Sequence, residues 1–402
     1  LVLKQFDVKT AFLHGDLEEC VLMKQPQGFD DGSGRVCKLV KSLYGLKQAS
    51  RCWNKRFSQF IKMFNFKVCS SDPCVFVYEK DNSKIILGIY VDDGLIAASN
   101  KEIVEPVITY LRKEFEVKFI DADYFLGLEL KRMDDGSILL HQQSYANKVL
   151  LRFNMENCNG VSTPLDPNQS LDEFADSAPS TFPYREAVGS LMYLAVGTRP
   201  DISFAVGVVS RFLEKPTQAH VNAVKRILKY IKQTNGLGIR FDADNAFELR
   251  GFSDADYAGD KNTRRSTSGY VFMLGSGAIS WCSERQKSVS LSTTESEYIA
   301  ASSAMKELIW LQVLICDLTR KNIPTTFLMD NQSAIRLIKN PEFHKRTKHI
   351  DVRYHFIREK YEEGRFKLEY VPSDEQAADI FTKALLKGRL NNLRIMLNIF
   401  DK

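Results

Sequence analysis

Asp7 closes an apolar run in Phe6-Asp7-Val8, and Tyr90-Val91-Asp92-Asp93-Gly94 sets two adjacent acids between apolar segments. Carboxylates flanked by hydrophobic strands are unfavourable unless a cation accompanies them. Two Mg2+ ions about 3.5–4 Å apart meet that need, activating an attacking hydroxyl and steadying a leaving phosphate oxygen. Mg2+ takes hard oxygen ligands, phosphate and water, which suits carboxylates. The competing reading is a plain hairpin, because Asp93-Gly94 is a strong turn signal by itself. A second set of acids lies in the last third. Asp254 sits in Ser253-Asp254-Ala255-Asp256, after a strand ending at Phe252. Glu297, with Glu295 as its fallback, opens a long helix; Asp330 stands between a strand and a helix; Asp379 follows Gln376-Ala377-Ala378. Singly, each has a bland role: Asp330 or Asp374 as a helix N-cap, Glu295 or Glu297 as a complement to the helix dipole. Together, acids at strand ends and first helical turns converge at one sheet edge. There they would hold two Mg2+ ions and hydrolyse a phosphodiester.

These acids need strands and helices to hold them. Residues 1–12 read as a strand entering a turn or helix. Asp30 to Gly34 is a loop, and Tyr44 to Phe64 carries helical apolar spacing through Trp53, Phe57, Phe60, Ile61 and Phe64. Cys74–Tyr78, Ile85–Tyr90 and Leu95–Ala98 read as strands, with a tight turn at Asp92-Asp93-Gly94, and Val104–Phe115 as a helix. Asn157 to Pro183, with Pro164, Pro167, Pro179 and Pro183 among Ser, Asp and Asn, reads as an exposed connector. Val188–Phe212 and Val221–Lys232 follow as helices. Further on, strands are predicted at Phe247–Phe252, Gly269–Leu274, Ala278–Cys282, Val289–Ser292, Thr326–Leu328 and Phe366–Val371. The helices there are Glu295–Leu318, Gln332–Lys339, 350–363 and Gln376–Leu386. This alternation predicts a multidomain α/β and α+β chain.

Bulk properties narrow the class. The 402 residues suit two or three domains. A net charge of +5 permits a polyanionic partner without arguing for one. None of the eight cysteines forms a CxxC pair, so no zinc knuckle is read and reduced thiols are expected. No apolar run approaches the roughly 18–20 residues of a membrane span, so no membrane partner is expected. The chain lacks an initiating Met and a signal peptide and enters a strand at once, which reads as a fragment of something longer.

Tyr90-Val91-Asp92-Asp93 resembles the active-site tetrad of reverse transcriptases. The stretch from Gln5-Phe6-Asp7-Val8-Lys9-Thr10-Ala11-Phe12 to His14-Gly15-Asp16 resembles the upstream metal-binding motif in its Ty1/copia form. Met23-Lys24-Gln25-Pro26, Lys41-Ser42-Leu43-Tyr44-Gly45-Leu46-Lys47-Gln48-Ala49 with Trp53, and Phe125-Leu126-Gly127-Leu128-Glu129-Leu130 (resembling the primer-grip hairpin) follow in family order. The last third resembles an RNase H domain of the same type, through Arg264-Arg265-Ser266-Thr267-Ser268-Gly269-Tyr270, Ser280-Trp281, Lys348-His349-Ile350-Asp351 and Asp379-Ile380-Phe381-Thr382-Lys383.

The resemblance to Ty1/copia-type retrotransposon Pol implies a right-hand polymerase palm and thumb followed by an RNase H-like mixed sheet with flanking helices. It implies a reverse transcriptase domain at 1–156, a linker and helical thumb or connection region at 157–245, an RNase H-like domain at 246–390 and a tail at 391–402. Asp7, Asp92 and Asp93 would carry two Mg2+ ions, with Mn2+ as a substitute, and so would Asp254, Glu297, Asp330 and Asp379. Phe12 would stack under the nucleotide sugar and exclude a 2′ hydroxyl, or else be an ordinary core ring. Lys47 and Gln48 would touch the incoming nucleotide or template, or Lys47 would be solvated. Partners would be an RNA template, a DNA primer, RNA–DNA hybrid and dNTPs, with protease, integrase and capsid in the same system. The setting would be a cytoplasmic virus-like particle with nuclear delivery of the product. One departure is that no His lies between Arg365 and Asp379, where many cellular RNases H carry one.

The basic side of Val221–Lys232 (Lys225, Arg226, Lys229, Lys232), together with Lys261, Arg264 and Arg265, reads either as phosphate contacts or as a solvated face. The same pair of readings applies to His344, Lys345, Arg346, Lys348, His349 and His355. Two functions stand. The first is a polymerase that also degrades the RNA strand of hybrids; the alternative is a catalytically incomplete or domesticated relic that only binds nucleic acid.

Overall fold

The computed structural model describes all residues except 82, 169–170, 172–180, 244–246, 341–350 and 402, and the side chains of 351–355 are likewise left aside. The chain divides into two compact units, Leu1–Leu126 with Gln312–Asn322, and Gly127–Leu311 with Ile323–Lys402.

The first unit is built on a six-stranded sheet. Its spatial order is Lys67–Val68, Val75–Lys80, Ser83–Tyr90, Asp93–Ala98, Val2–Val8, Val117–Asp121, and every neighbouring pair is antiparallel. Helix Ala49–Lys62 buries Ala49, Trp53, Phe57, Phe60 and Ile61, a one-sided stripe. Each such large side chain gains roughly 1.5–3 kcal/mol on burial. Helix Lys101–Glu114 starts where the Asn100 side chain accepts the Ile103 N–H at 3.1 Å, and it buries Val104, Val107, Ile108 and Leu111. Phe115 meets Trp53, Phe57 and Phe60 in one aromatic cluster.

In the second unit a mixed five-stranded sheet runs Gly277–Arg285, Thr267–Leu274, Leu249–Asp256, Thr325–Met329, Lys367–Tyr370. The first three are antiparallel; the last two run parallel to Leu249–Asp256 and Thr325–Met329, respectively. The crossovers that parallel strands require are made by helix Thr293–Thr319, which belongs to this unit as far as Leu311, and by helices Gln332–Lys339 and Asp351–Glu362. This is the mixed sheet with flanking helices that the RNase H resemblance implies. A smaller antiparallel sheet joins Leu128–Arg132, Ile138–His141, Gly238–Phe241 and Ile399–Phe400. Residues 127–156 therefore pack with the second unit. In the region expected as a tail, helix Lys387–Met396 leads into strand Ile399–Phe400, the edge of that sheet. Helices Gln143–Arg152, Tyr184–Gly197, Ser203–Val209 and Gln218–Gln233 share one apolar core with the mixed sheet.

Several local expectations are corrected. The helix expected over Val188–Phe212 is broken after Gly197 because Pro200 cannot continue it, and the chain restarts at Ser203. Val289–Ser292 forms no strand. Its serines are used otherwise: Ser290 donates to Gln286 and Ser292 accepts the Glu295 N–H. The closing helix expected at Gln376–Leu386 is a short 3-10 turn, Ala377–Phe381, and the α-helix comes later. Helix Thr293–Thr319 does have a membrane span's length, and its most apolar 18-residue window has the composition of one. Half of that window is buried in the protein, and Tyr298, Ala301, Ala304, Met305 and Leu308 go to the interior, the pattern of a core helix.

A buried ion pair holds the break at Pro200. The Arg199 guanidinium donates from Nε and Nη2 to both Asp201 oxygens at 2.9 and 2.8 Å, and to the Thr234 carbonyl and hydroxyl at 3.0 and 2.7 Å. Tyr230 donates its hydroxyl proton to Asp201 at 2.7 Å. Burial alone would raise the Asp201 carboxyl, but Arg199 overrides it and holds the group below the usual range. Asp201→Asn should lower stability by roughly 3–5 kcal/mol, because it leaves a buried guanidinium uncompensated. The urea midpoint measures this. The pair's contribution is full above about pH 4 and drains as pH falls through the depressed folded value, so the variant should also lose that part of the acid sensitivity.

Candidate active sites

In the first unit, antiparallel pairing sets Asp7 opposite Asp93. The Val8 N–H donates to the Asp92 carbonyl at 2.8 Å. The hairpin turn lies two residues earlier than Asp93-Gly94 suggested. Tyr90 pairs with Asp93, so Val91 and Asp92 form the loop. Val91 takes φ 58, a left-handed conformation that costs a β-branched residue roughly 1–3 kcal/mol. Trp53 supports it, its indole N–H donating to the Val91 carbonyl at 2.6 Å. Gly94 lies in the strand because the Phe6 ring occupies the place of a side chain there, 2.0–2.5 Å from where a Cβ would be. Asp7 is exposed, while Asp92 and Asp93 are half-buried. Burial, then the charges of Asp92 and Asp7, raise the Asp93 carboxyl above its ordinary value, and Gln5 offsets part of this from 3.5 Å.

Phe12 lies on the short 3-10 turn Ala11–His14, its ring 4.7 Å from that of Tyr44. Lys47 is exposed, and Gln48 precedes helix Ala49–Lys62 without a side-chain cap. Gln5 and Trp53 carry no sequence signal for a role at the acids. Both stand in the resembling motifs, but their contacts come from strand register and helix packing.

In the second unit, Asp254 is inside strand Leu249–Asp256 rather than beyond it. Phe252 pairs in parallel with Leu328, so two residues further on the strand ends bring Asp254 beside Asp330. Asp254, Glu297 and Asp330 bring ligand oxygens within 4.8 Å of one another. Among the described residues no other group of three acids, histidines or cysteines does so, and Asp7, Asp92 and Asp93 are not brought that close. Glu297 is buried, and among the described residues its Oε2 has no hydrogen-bond partner. Burial, then the charges of Asp254 and Asp330, hold the Glu297 carboxyl well above the usual range. Burial likewise pushes Asp254 up to about 6, against the opposing charge of Lys383. Glu295 is used differently, its Oε2 accepting the Leu291 N–H at 2.9 Å at the start of the helix. Asp330 accepts from the Ser373 hydroxyl at 2.8 Å. The neighbouring N-caps are Asn331 and Gln376, so neither Asp330 nor Asp374 is spent on capping.

Asp379 approaches from the 3-10 turn Ala377–Phe381. Gly269, paired with Asp254, lets that turn close down, since a Cβ there would lie 2.7 Å from Phe381 and 2.8 Å from Thr382. Buried Gln376 clamps the turn to the strand, donating to the Ser253 carbonyl at 3.0 Å and accepting the Ala378 N–H at 3.2 Å. Thr382 donates its hydroxyl proton to Asp254. Asp379 stands apart from the other three acids and is held by Lys383 at 2.8 Å and Arg389 at 3.0 Å.

The basic groups are partly spent inside the protein. Arg226 donates to the Thr163 hydroxyl at 2.8 Å and Lys225 lies over the Phe182 ring, while Lys232 is exposed. Asp260 organises the Lys261–Arg265 loop by accepting the Asn262 and Thr263 N–H groups and pairing with Arg285 and Arg211. Lys261 and Arg264 remain exposed. His344, Lys345, Arg346, Lys348 and His349, and the side chain of His355, lie outside the described residues.

Residues 1–167 match the family described as reverse transcriptase (RNA-dependent DNA polymerase). The chain is 45% identical, over 97% of its length and 30% of the relative's, to a retrovirus-related Pol polyprotein from transposon TNT 1-94 of Nicotiana tabacum. It is 31% identical to the transposon Ty5-1 protein of Saccharomyces cerevisiae, over 75% of this chain and the whole of that one. Among solved structures, LC11-RNase H1 from compost aligns with 34% of this chain and 94% of its own, at 17% identity and a TM-score of 0.28. The chain belongs to the Pol proteins of Ty1/copia-type retrotransposons, and it spans under a third of the tobacco polyprotein's length.

If the Glu297 Oε2 is a metal ligand in waiting, Glu297→Gln should raise the metal-free melting temperature by a few degrees and remove most of the rise that Mn2+ induces. The comparison is made in an Asp92→Asn background, so that the second unit dominates the response. Glu295→Ala should cost about 1 kcal/mol and leave the Mn2+ response intact. A Glu297→Gln chain with the full Mn2+ response rules the assignment out.

Proposed function

We propose that this chain copies RNA and DNA templates into DNA in its first unit and hydrolyses the RNA strand of RNA–DNA hybrids in its second. The observation that carries the reading is the trio of buried Asp254 and Glu297 with half-buried Asp330, in which the Glu297 Oε2 is unpartnered among the described residues. Such an all-oxygen set fits a hard divalent cation and disfavours a thiophilic one. We assign Mg2+ to it, with Mn2+ as a substitute. Asp254, Glu297 and Asp330 would hold the ion, with Asp379 at the adjoining position; Asp7, Asp92 and Asp93 would serve in the first unit. When bound, divalent ions supply activation of the attacking oxygen and charge stabilisation at the phosphate.

The protein's own groups do the positioning. Gln376 and Thr382 fix Asp254 against the Asp379 turn, and Ser373 orients Asp330. In the first unit Trp53 fixes the turn that presents Asp92 and Asp93. Phe12 is assigned to excluding a 2′ hydroxyl, and Lys47 and Gln48 to contact with nucleotide or template. The exposed Lys261 and Arg264 suit sequence-independent phosphate contacts, as a polymerase that accepts every sequence requires. The partners in this reading are RNA template, DNA primer, hybrid and dNTPs, with protease, integrase and capsid supplied by the rest of the element. Its setting is a cytoplasmic particle that delivers DNA to the nucleus.

Cleavage of a labelled RNA–DNA hybrid and extension of a primer, both with Mg2+, test the two halves. Asp254→Asn should cut hybrid cleavage to about 1% or less while sparing extension, and Asp92→Asn should do the reverse, the scale on which losing one charge-stabilising group acts. A folded parent chain that binds hybrid and shows neither activity defeats the enzymatic reading and leaves nucleic-acid binding alone.

A further inference from the structure

The four acids of the second unit are not equivalent in what they face. Among the described residues, Asp254, Glu297 and Asp330 face one another with no cationic side chain in their midst except at one flank. There the Lys383 ammonium lies 3.9 Å from Asp254 Oδ2 and 2.8 Å from Asp379 Oδ1. The side chains of Asp254 and Asp379 are only 5% and 8% exposed, while that of Lys383 is 43% exposed. The carboxylates are thus fixed in the interior and the ammonium enters from the mouth.

Arg389, the other cation on Asp379, is placed differently. Besides Asp379 Oδ2 at 3.0 Å, it donates to the backbone carbonyls of Ser373 and Asp374, and to that of Gln376 at 3.5 Å. It is part of the local fold. Among the described residues Lys383 has no hydrogen bond to the backbone: its ion pairs are with Asp254 and Asp379, and the charges of Asp330 and Asp256 add to its hold. Two carboxylates close together in a low-dielectric site repel strongly unless a cation stands between them. A lysine ammonium is a compact point charge on a flexible stem, able to fill that place and to leave it.

We infer that Lys383 is the resident cation of the position between Asp254 and Asp379, so that the substrate-free chain takes one divalent ion at Asp254/Glu297/Asp330 and admits a second only when the lysine withdraws. The inference rests on the metal-binding reading of this cluster. It makes Lys383 a positioning residue that sets the ion count of the centre, distinct from the residues that ligate.

Mn2+ titration followed by the electron paramagnetic resonance of free aqueous Mn2+ counts bound ions directly. The full chain is used with Asp7→Asn and Asp92→Asn, which silence the first unit. One Mn2+ is expected for this background, two after adding Lys383→Met, one again with Lys383→Arg, and none with Asp254→Asn. Lys383→Gln serves if the methionine variant does not fold by circular dichroism. A background that already takes two Mn2+, or a neutral variant that stays at one, overturns the inference and leaves the metal site standing. A background that takes no Mn2+ overturns the metal-binding reading itself.

Discussion

Carboxylates that must share a few ångströms of poorly hydrated space repel one another and lose their hydration together. Much of the local structure of this chain can be traced to managing that cost. The two centres manage it differently. In the first unit the acids stay near solvent: Asp7 is exposed, Asp92 and Asp93 are half-buried, and one amide, Gln5, leans on Asp93. In the second unit Asp254, Glu297 and Asp379 are buried, and the compensation is built from protein cations on one side and left open on the other.

Meeting that constraint takes backbone as much as side chains. Both centres use a glycine on the strand beside an acid-bearing strand, and in both the space is filled at once. The Phe6 ring covers Gly94, and the Asp379 turn settles on Gly269. Each site also has a side chain whose work is to hold a backbone rather than a ligand. Trp53 holds the strained carbonyl at Val91, and Gln376 bridges the Ser253 carbonyl and the Ala378 N–H. These contacts convert loosely specified loops into fixed mounts for the acids.

The acids themselves were legible because their neighbours are: an Asp after an apolar alternation, a Glu in a helix's first turns. Strand and helix assignments with strong periodicity, such as Ala49–Lys62 and Ser83–Tyr90, followed from the same signal. What could not be read depends on what packs from elsewhere. Asp93-Gly94 looked like a turn because glycine usually marks one; here Phe6 needs the space, and the turn moves to a valine that local preference would avoid. Val289–Ser292 has strand-like residues, yet its serines serve the start of a helix. Gln376–Leu386 has helical composition, but contact with Gly269 selects a tighter turn. Lys383 stood in a resembling motif without a role there, and Arg389 in none, since any basic residue near a helix looks solvated until its acid partner is placed.

The acids of the second centre come from widely separated points in the chain, and Asp379 sits on a turn that settles only against a finished strand. On the ribosome Asp254 emerges first and Asp379 last, with Glu297 and Asp330 between them. The complete set of four therefore cannot form on a nascent chain until nearly all of this sequence has left the exit tunnel.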